Sequence, residues 1–180
     1  MNNFIFQNST KVYFGKGCVK EYLTCLTKNA QTILLAYGGG SIKRTGIYDQ
    51  VMAQLAGMQV WELGGVQPNP RLSLVREGIA LCREHGIELV LAVGGGSAID
   101  TAKAIANGAC YDGDVWDLFD GKGKNTEVLP LGTVVTIPAA GSEMSDSSVI
   151  TREEDLCKRG RNTPLNFPKF SILNPEFTTD

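Results

Sequence analysis

The stretch Leu89-Val90-Leu91-Ala92-Val93-Gly94-Gly95-Gly96-Ser97-Ala98 decides how the chain is read. Ile33-Leu34-Leu35-Ala36-Tyr37-Gly38-Gly39-Gly40-Ser41-Ile42 carries the same pattern, 56 residues earlier. Each begins as an unbroken apolar run rich in branched side chains. Such a run marks a strand covered on both faces, as in a parallel sheet. Each then turns through three glycines and a serine. Helical spacing comes after both: Ile47, Val51, Met52 and Leu55 after the first, and Ile99, Ala102 and Ala106 after the second. Strands alternating with helices imply crossovers, hence an α/β sheet.

Working outward, residues 31–36 and 87–93 are two buried strands, and residues 58–63 read as another. Pro68-Asn69-Pro70 breaks the chain. Between 71 and 85, Leu72, Val75, Ile79 and Cys82 fall on one helical face, and Gly86 stops the helix. Residues 111–132 are rich in turns, and residues 133–137 form a fourth strand candidate. Residues 147–151 are expected to pair with those around Lys158 as a hairpin. Residues 170–173 make a last short strand, with no closing helix after Asn174-Pro175. The expected fold is α/β: a doubly wound, mostly parallel, Rossmann-like dinucleotide-binding domain over residues 1–180.

Composition narrows the chemistry. The 180 residues carry 17 basic and 19 acidic side chains, too even a balance for nucleic acid or an anionic membrane as the main partner. No apolar run is long enough to span a bilayer, and Met1-Asn2-Asn3-Phe4 shows no export signal. Five scattered cysteines without a CxxC argue against a disulfide framework and point to a reducing cytoplasm. The single histidine, His85, reads as a helix-end residue rather than a catalytic base.

The turns suggest what the fold holds. Glycine lets the main chain approach a bulky anion, and a serine hydroxyl can cap a helix or donate. A helix N-terminus adds free N–H groups and partial positive charge, so a phosphate is the natural guest. Two tight turns with no ligand are the alternative. The generic GxGxxG search fails, because the sixth position holds Lys43 in the first turn and Ile99 in the second. The first turn has Gly38-Gly39 where an acidic residue would select NAD(H), and Lys43-Arg44 lie just beyond. That favours NADP(H), with NAD(H) weaker, unless the basic pair is simply solvated. Asp100 either stabilises its helix dipole or accepts from a ribose or nicotinamide group.

The chain resembles the N-terminal half of an iron-containing, metal-dependent (group III) alcohol dehydrogenase of the butanol dehydrogenase type. Landmarks run through all 180 residues: Phe14-Gly15-Lys16-Gly17; both triple-glycine turns; Pro68-Asn69-Pro70; Asp100 with Lys103 and Ala104; Tyr111-Asp112-Gly113-Asp114; Gly141-Ser142-Glu143-Met144; Lys158-Arg159-Gly160; and Asn174-Pro175-Glu176. The resemblance implies that Gly38, Gly39 and Ser41 hold the adenosine ribose and its 2′-phosphate, with Asn69 near the same end. It implies that Gly95, Gly96 and Ser97 bind the pyrophosphate and that Asp100 lies near the nicotinamide ribose. Thr136, Ala139, Ser142 and Ser145 would line the cofactor, and Lys158 would reach its ribose. Ala140 stands where relatives commonly show threonine.

The same resemblance implies an all-helical second domain with an aspartate and three histidines holding Fe²⁺ or Zn²⁺. Those ligands would lie beyond Asp180, so this chain carries no metal ligand and no catalytic residue of its own. The expected function is that of the cofactor domain of an oxidoreductase moving hydride between NADPH and a small primary alcohol or aldehyde. The isolated chain is expected to turn over little or no substrate, to be cytoplasmic and to be a homo-oligomer. Two alternatives stand beside it: a nucleotide-phosphate-binding module without catalysis, and an α/β sugar-phosphate enzyme of the dehydroquinate synthase sort.

Overall fold

Side chains alternate across the central strands and sort the core into two layers. A computed structural model describes residues 2–179; Met1 and Asp180 lie outside the described residues. Its strands are β1 (Lys11–Phe14), β2 (Thr32–Tyr37), β3 (Gln59–Leu63), β4 (Leu89–Gly94), β5 (Leu131–Val135), β6 (Ser147–Arg152), β7 (Cys157–Asn162) and β8 (Phe170–Leu173). Its helices are α1 (Cys18–Thr27), α2 (Ser41–Arg44), α3 (Ile47–Gln54), α4 (Leu72–His85), α5 (Gly96–Ala109) and α6 (Trp116–Phe119). Six strands form one wholly parallel sheet in the order β1-β8-β5-β4-β2-β3, and β6 and β7 form a separate antiparallel hairpin.

Ile33, Leu35, Leu89, Leu91 and Val93 point to one face and pack with Val19, Leu23 and Val51 from α1 and α3. Leu34, Ala36, Val90 and Ala92 point to the other, against Leu72, Val75, Ile99 and Ile105 of α4 and α5. Each large aliphatic side chain buried this way contributes about 1.5–3 kcal/mol. Helices α4 and α5 approach closely, because Gly78 sits against Ile105 and Gly108 against Ile79 and Val115. A methyl group at either glycine would collide with its neighbour.

The doubly wound α/β expectation is met, with local differences. The helix after the first triple glycine is broken into α2 and α3 at Thr45-Gly46, where Gly46 takes φ 76°. A left-handed glycine ends one helix and redirects the next. Strand β5 begins two residues earlier than expected, directly after Pro130. Strand β1, helix α1 and the single turn α6 add to the elements read from sequence. His85 ends α4, as expected, and its ring stacks on Trp61 with centroids 4.3 Å apart. All five cysteines are free. Among the described residues no helix is long and apolar enough to cross a membrane.

The topology fixes where a ligand can sit. From β2 the chain runs outward to β3, then returns across β2 to β4 and continues through β5 to β8. The winding direction reverses between β2 and β4. The splayed connections leave a crevice at the carboxyl ends of those two strands.

Candidate functional site

The register Ile33↔Leu89 through Tyr37↔Val93 brings β2 and β4 to the same sheet edge in step. Both triple-glycine turns therefore emerge side by side into that crevice. A cavity of about 540 Å³ opens there, within the size range of small-molecule and cofactor sites. Eleven of the residues named from sequence line it: Gly38, Ser41, Asn69, Gly95, Gly96, Ser97, Asp100, Thr136, Ala139, Ser142 and Lys158. Gly39 and Ser145 do not. Gly39 is exposed, and Ser145 is turned inward, its hydroxyl accepting from the Ser147 N–H at 2.8 Å.

The floor of the cavity is the N-terminus of α5. Gly95 is its N-cap residue, and no side chain caps the helix. Ser97 lies inside the first turn, so it does not play the capping role open to it from sequence. The first amide groups of a fourteen-residue helix are left without intrahelical partners, and their residues line the cavity. Ile99 N–H already donates to the Gly95 carbonyl at 3.2 Å.

The walls are tied to one another. Thr136 N–H donates to the Gly94 carbonyl at 3.0 Å, joining the segment after β5 to the second turn. Lys158 Nζ donates to Asn69 Oδ1 at 3.2 Å across the mouth. Asn69 itself holds φ 58°, a conformation asparagine tolerates better than most residues. Thr151 N–H donates to the Pro70 carbonyl at 2.7 Å, fastening the Pro68–Pro70 loop to the hairpin.

Asp100 is half-buried and already occupied. Its Oδ1 accepts from Ser142 Oγ at 2.6 Å and its Oδ2 from the Val149 N–H at 3.1 Å. Burial raises its pKa, opposed by those hydrogen bonds and by the positive charges of Lys103 and Lys158. Both oxygens keep spare acceptor capacity. The role of helix-dipole partner does not hold, because Asp100 lies beyond the first turn of α5; its carboxylate instead joins α5 to β6 and to the turn at Ser142.

The basic pair beyond the first turn faces elsewhere. Lys43 Nζ lies 3.5 Å from the Glu62 carboxylate and over the rings of Tyr37 and Tyr48, at 5.3 and 4.6 Å from their centroids. Neither Lys43 nor Arg44 lines the cavity. Of the two readings of this pair, the surface one describes Lys43. Among the lining residues the only carboxylate is Asp100; Glu62, which accepts from the Tyr37 hydroxyl at 3.0 Å at the end of β2, lies outside the lining.

Lys103, a landmark of the family pattern, has no role that sequence alone assigns. It is fully buried, at 0% exposure. Its Nζ donates to the carbonyls of Ser142, Ser145 and Ser147 at 2.7, 2.9 and 2.9 Å, and to Ser142 Oγ at 3.0 Å. Burial lowers its pKa to about 8, against the upward pull of Asp100, Asp146 and Glu143. A signal is present in the sequence: Lys103 is the one basic residue of α5, set among Ala102, Ala104, Ile105 and Ala106. Among the described residues no three His, Cys, Asp or Glu side chains come together as a metal site.

Comparison with known proteins identifies the family. The family model for iron-containing alcohol dehydrogenase matches residues 9–175. A probable NADH-dependent butanol dehydrogenase 1 of Bacillus subtilis is 54% identical over 177 residues, which cover 97% of this chain and 46% of the relative. The NADPH-dependent aldehyde reductase YqhD of Escherichia coli is 38% identical, over 99% of this chain and 46% of its own. The crystal structure of NADH-dependent butanol dehydrogenase A from Thermotoga maritima superposes with a TM-score of 0.94 at 43% identity, covering 98% of this chain and 45% of that one. The chain spans about half the length of the curated relatives it matches. It belongs to the iron-containing alcohol dehydrogenase family.

Proposed function

We propose that this chain binds a nicotinamide dinucleotide, NADP(H) in preference to NAD(H), in the cavity at the ends of β2 and β4. One observation carries the proposal: the two triple-glycine turns share a single cavity at the point where the sheet reverses its winding. Gly95, Gly96 and Ser97 offer the free amides of α5 to the pyrophosphate. Gly38 and Ser41 leave room and a hydroxyl for the adenosine ribose and a 2′-phosphate, with no carboxylate to repel it. The preference rests on that missing acid and not on Lys43. Among relatives, the butanol dehydrogenases are named as NADH-dependent and the aldehyde reductase as NADPH-dependent. The two classes share the fold, so the choice lies in local contacts. Asp100, Ser142 and Lys158 form the opposite wall, where the nicotinamide ribose would lie.

In the whole protein the dinucleotide would supply or accept hydride against a small primary alcohol or aldehyde. This chain's part is to bind and orient that cofactor, and its described residues do not make a metal site. The 180 residues alone are therefore proposed to bind dinucleotide while turning over little or no substrate.

Titration with NADPH, NADH and ATP, followed by calorimetry and by the fluorescence of the reduced nicotinamide, tests this. The tryptophans are poor reporters, since Trp61 stacks on His85 and Trp116 packs beside Phe119, away from the cavity. NADPH is expected to bind more tightly than NADH, and ATP more weakly than either. Gly38→Asp is sterically allowed, its Cβ reaching only Val66 O at 3.4 Å. It should move the NADPH:NADH affinity ratio toward NADH by about tenfold, a like-charge penalty near 1.4 kcal/mol. No binding, or an unchanged ratio in the variant, rejects the assignment.

A further inference from the structure

We propose that Lys103 is a positioning residue for the dinucleotide: its ammonium clamps the 142–147 turn onto α5 and so sets the wall of the cavity opposite the first triple-glycine turn. The inference rests on the dinucleotide reading of that cavity and assigns a residue that does not itself line it.

The geometry is saturated. An ammonium has three N–H groups, and here they meet three main-chain carbonyls, all from one six-residue stretch, with Ser142 Oγ as a further acceptor. No carboxylate among the described residues lies within ion-pair distance of Lys103. A buried cation matched only by neutral acceptors is costly, and a leucine or methionine would satisfy simple packing more cheaply. What the charge adds is direction: one point on α5 draws three carbonyls of the turn to itself.

That direction reaches cavity atoms. Because Ser142 Oγ accepts from Lys103, its own proton is left for Asp100 Oδ1, where the 2.6 Å contact places it. Asp100 is thereby held as an acceptor, with Val149 N–H on its other oxygen. Ser142 and Asp100 both line the cavity; Lys103 orients Ser142 directly, and Asp100 through Ser142 together with the Val149 N–H. The turn has a second, independent tie: Ser171 Oγ donates to the Glu143 carbonyl at 2.7 Å. The Asp146 carbonyl also accepts from Thr163 N–H at 3.0 Å and Asn166 Nδ2 at 2.8 Å, and Ser147 pairs with Asn162. Loss of Lys103 therefore releases the Ser142 and Ser145 carbonyls from α5 without detaching the segment from the hairpin or β8.

The charged groups facing Lys103 are Asp100 on its own helix and Glu143 and Asp146 on the turn; Lys158, from the hairpin, faces Asp100. Strand β6 contributes the Ser147 carbonyl. As pH rises through about 8 the ammonium loses a proton. Two N–H groups then remain for three carbonyls, and the clamp loosens. Fold stability moves the other way, because a lysine whose pKa is lowered by folding favours the folded state increasingly as pH rises from there toward its unfolded value. The opposite signs separate a positioning role from a purely structural one. The 2′-phosphate of NADPH titrates near pH ~6 and does not confuse the window.

The experiment measures NADPH affinity of the unaltered chain and of Lys103→Met from pH 6.5 to 9.5, with hydrogen exchange at the amides of residues 142–147. The unaltered chain should lose affinity with a midpoint near pH 8. Lys103→Met should bind about tenfold more weakly at pH 7, with a flat profile and faster exchange in the turn. Equal binding by the variant, or a flat profile in the unaltered chain, overturns the inference alone. An unaltered chain that binds no dinucleotide overturns the proposed function and this inference together. Should Lys103→Met fail to fold, the pH profile of the unaltered chain decides.

Discussion

Gly38-Gly39-Gly40-Ser41 and Gly94-Gly95-Gly96-Ser97 are the same four letters after neighbouring parallel strands, yet they build different objects. The first opens onto α2, a single turn of four residues stopped by Gly46. The second opens onto α5, fourteen residues that run through the core. The residues after each serine make the difference. Ile42-Lys43-Arg44-Thr45-Gly46 meets a left-handed glycine within five residues. Ala98-Ile99-Asp100-Thr101-Ala102-Lys103-Ala104-Ile105-Ala106 has high helix propensity and small side chains that allow close packing against α4. Only the second turn can present the end of a long helix to an anion; the first can offer only room and a hydroxyl. The glycines differ as well. Gly94 is demanded by the protein, since an added Cβ would sit 2.9 Å from Ala98 Cβ at φ 159°. Around Gly39 there is open space, and the backbone there does not require a glycine.

That contrast can be broken by substitution. The largest effect is expected from Gly94→Ala, which should cost about 1–3 kcal/mol of stability through overpacking and backbone strain. In urea unfolding, Gly39→Ala should stay within about 0.5 kcal/mol of the parent. Equal losses at the two positions would erase the distinction. Next comes Gly95→Ala, where the new Cβ meets Ile137 Cβ at 3.4 Å on the cavity rim and the backbone is acceptable to any residue. NADPH affinity should fall about tenfold while stability changes by less than about 1 kcal/mol. A variant that binds normally would remove the pyrophosphate from the α5 N-terminus. The smallest change is expected from Lys43→Ala. Its charge is spent on Glu62 and two tyrosine rings, so NADPH affinity and its salt dependence should shift by less than about threefold. A larger drop would put the first turn's selectivity back on its basic pair.

Much of this fold is legible in the sequence, and the failures have causes. Strands β2 and β4 announce themselves because burial on both faces leaves continuous apolar runs; β3, at the sheet edge, and β8 are read from shorter apolar stretches bounded by turn residues. The hairpin around Lys158 pairs as read, from Ser147↔Asn162 to Arg152↔Cys157. Strand β1 escapes because it is an edge strand with mostly exposed side chains, and its Lys11-Val12-Tyr13-Phe14 lacks a buried run. Helix α1 has its buried stripe at Cys18, Val19, Leu23 and Thr27, a pattern partly hidden by polar members. Strand β5 reads as starting late because Leu131-Gly132 looks like a turn. In the fold, Gly132 makes room for the Phe170 ring. Eleven of thirteen named site residues line one cavity because motif and topology act together there. Lys103 stands out as a lone charge in an apolar helix, but its role stays unread because its partners are carbonyls about forty residues away, which no local pattern encodes.

Strand β1 pairs with β8 and with no other described strand, Lys11 opposite Phe170 and Phe14 opposite Leu173. Of the described strands, the first in chain order thus waits for the last. On the ribosome, at about 5–20 residues per second, Lys11–Phe14 must remain unzipped until Phe170–Leu173 has emerged. Closing so long a loop is entropically slow. The two-layered centre around β2 and β4 can gather first, which makes the crevice an early-born feature and the β1 edge the last seam to shut.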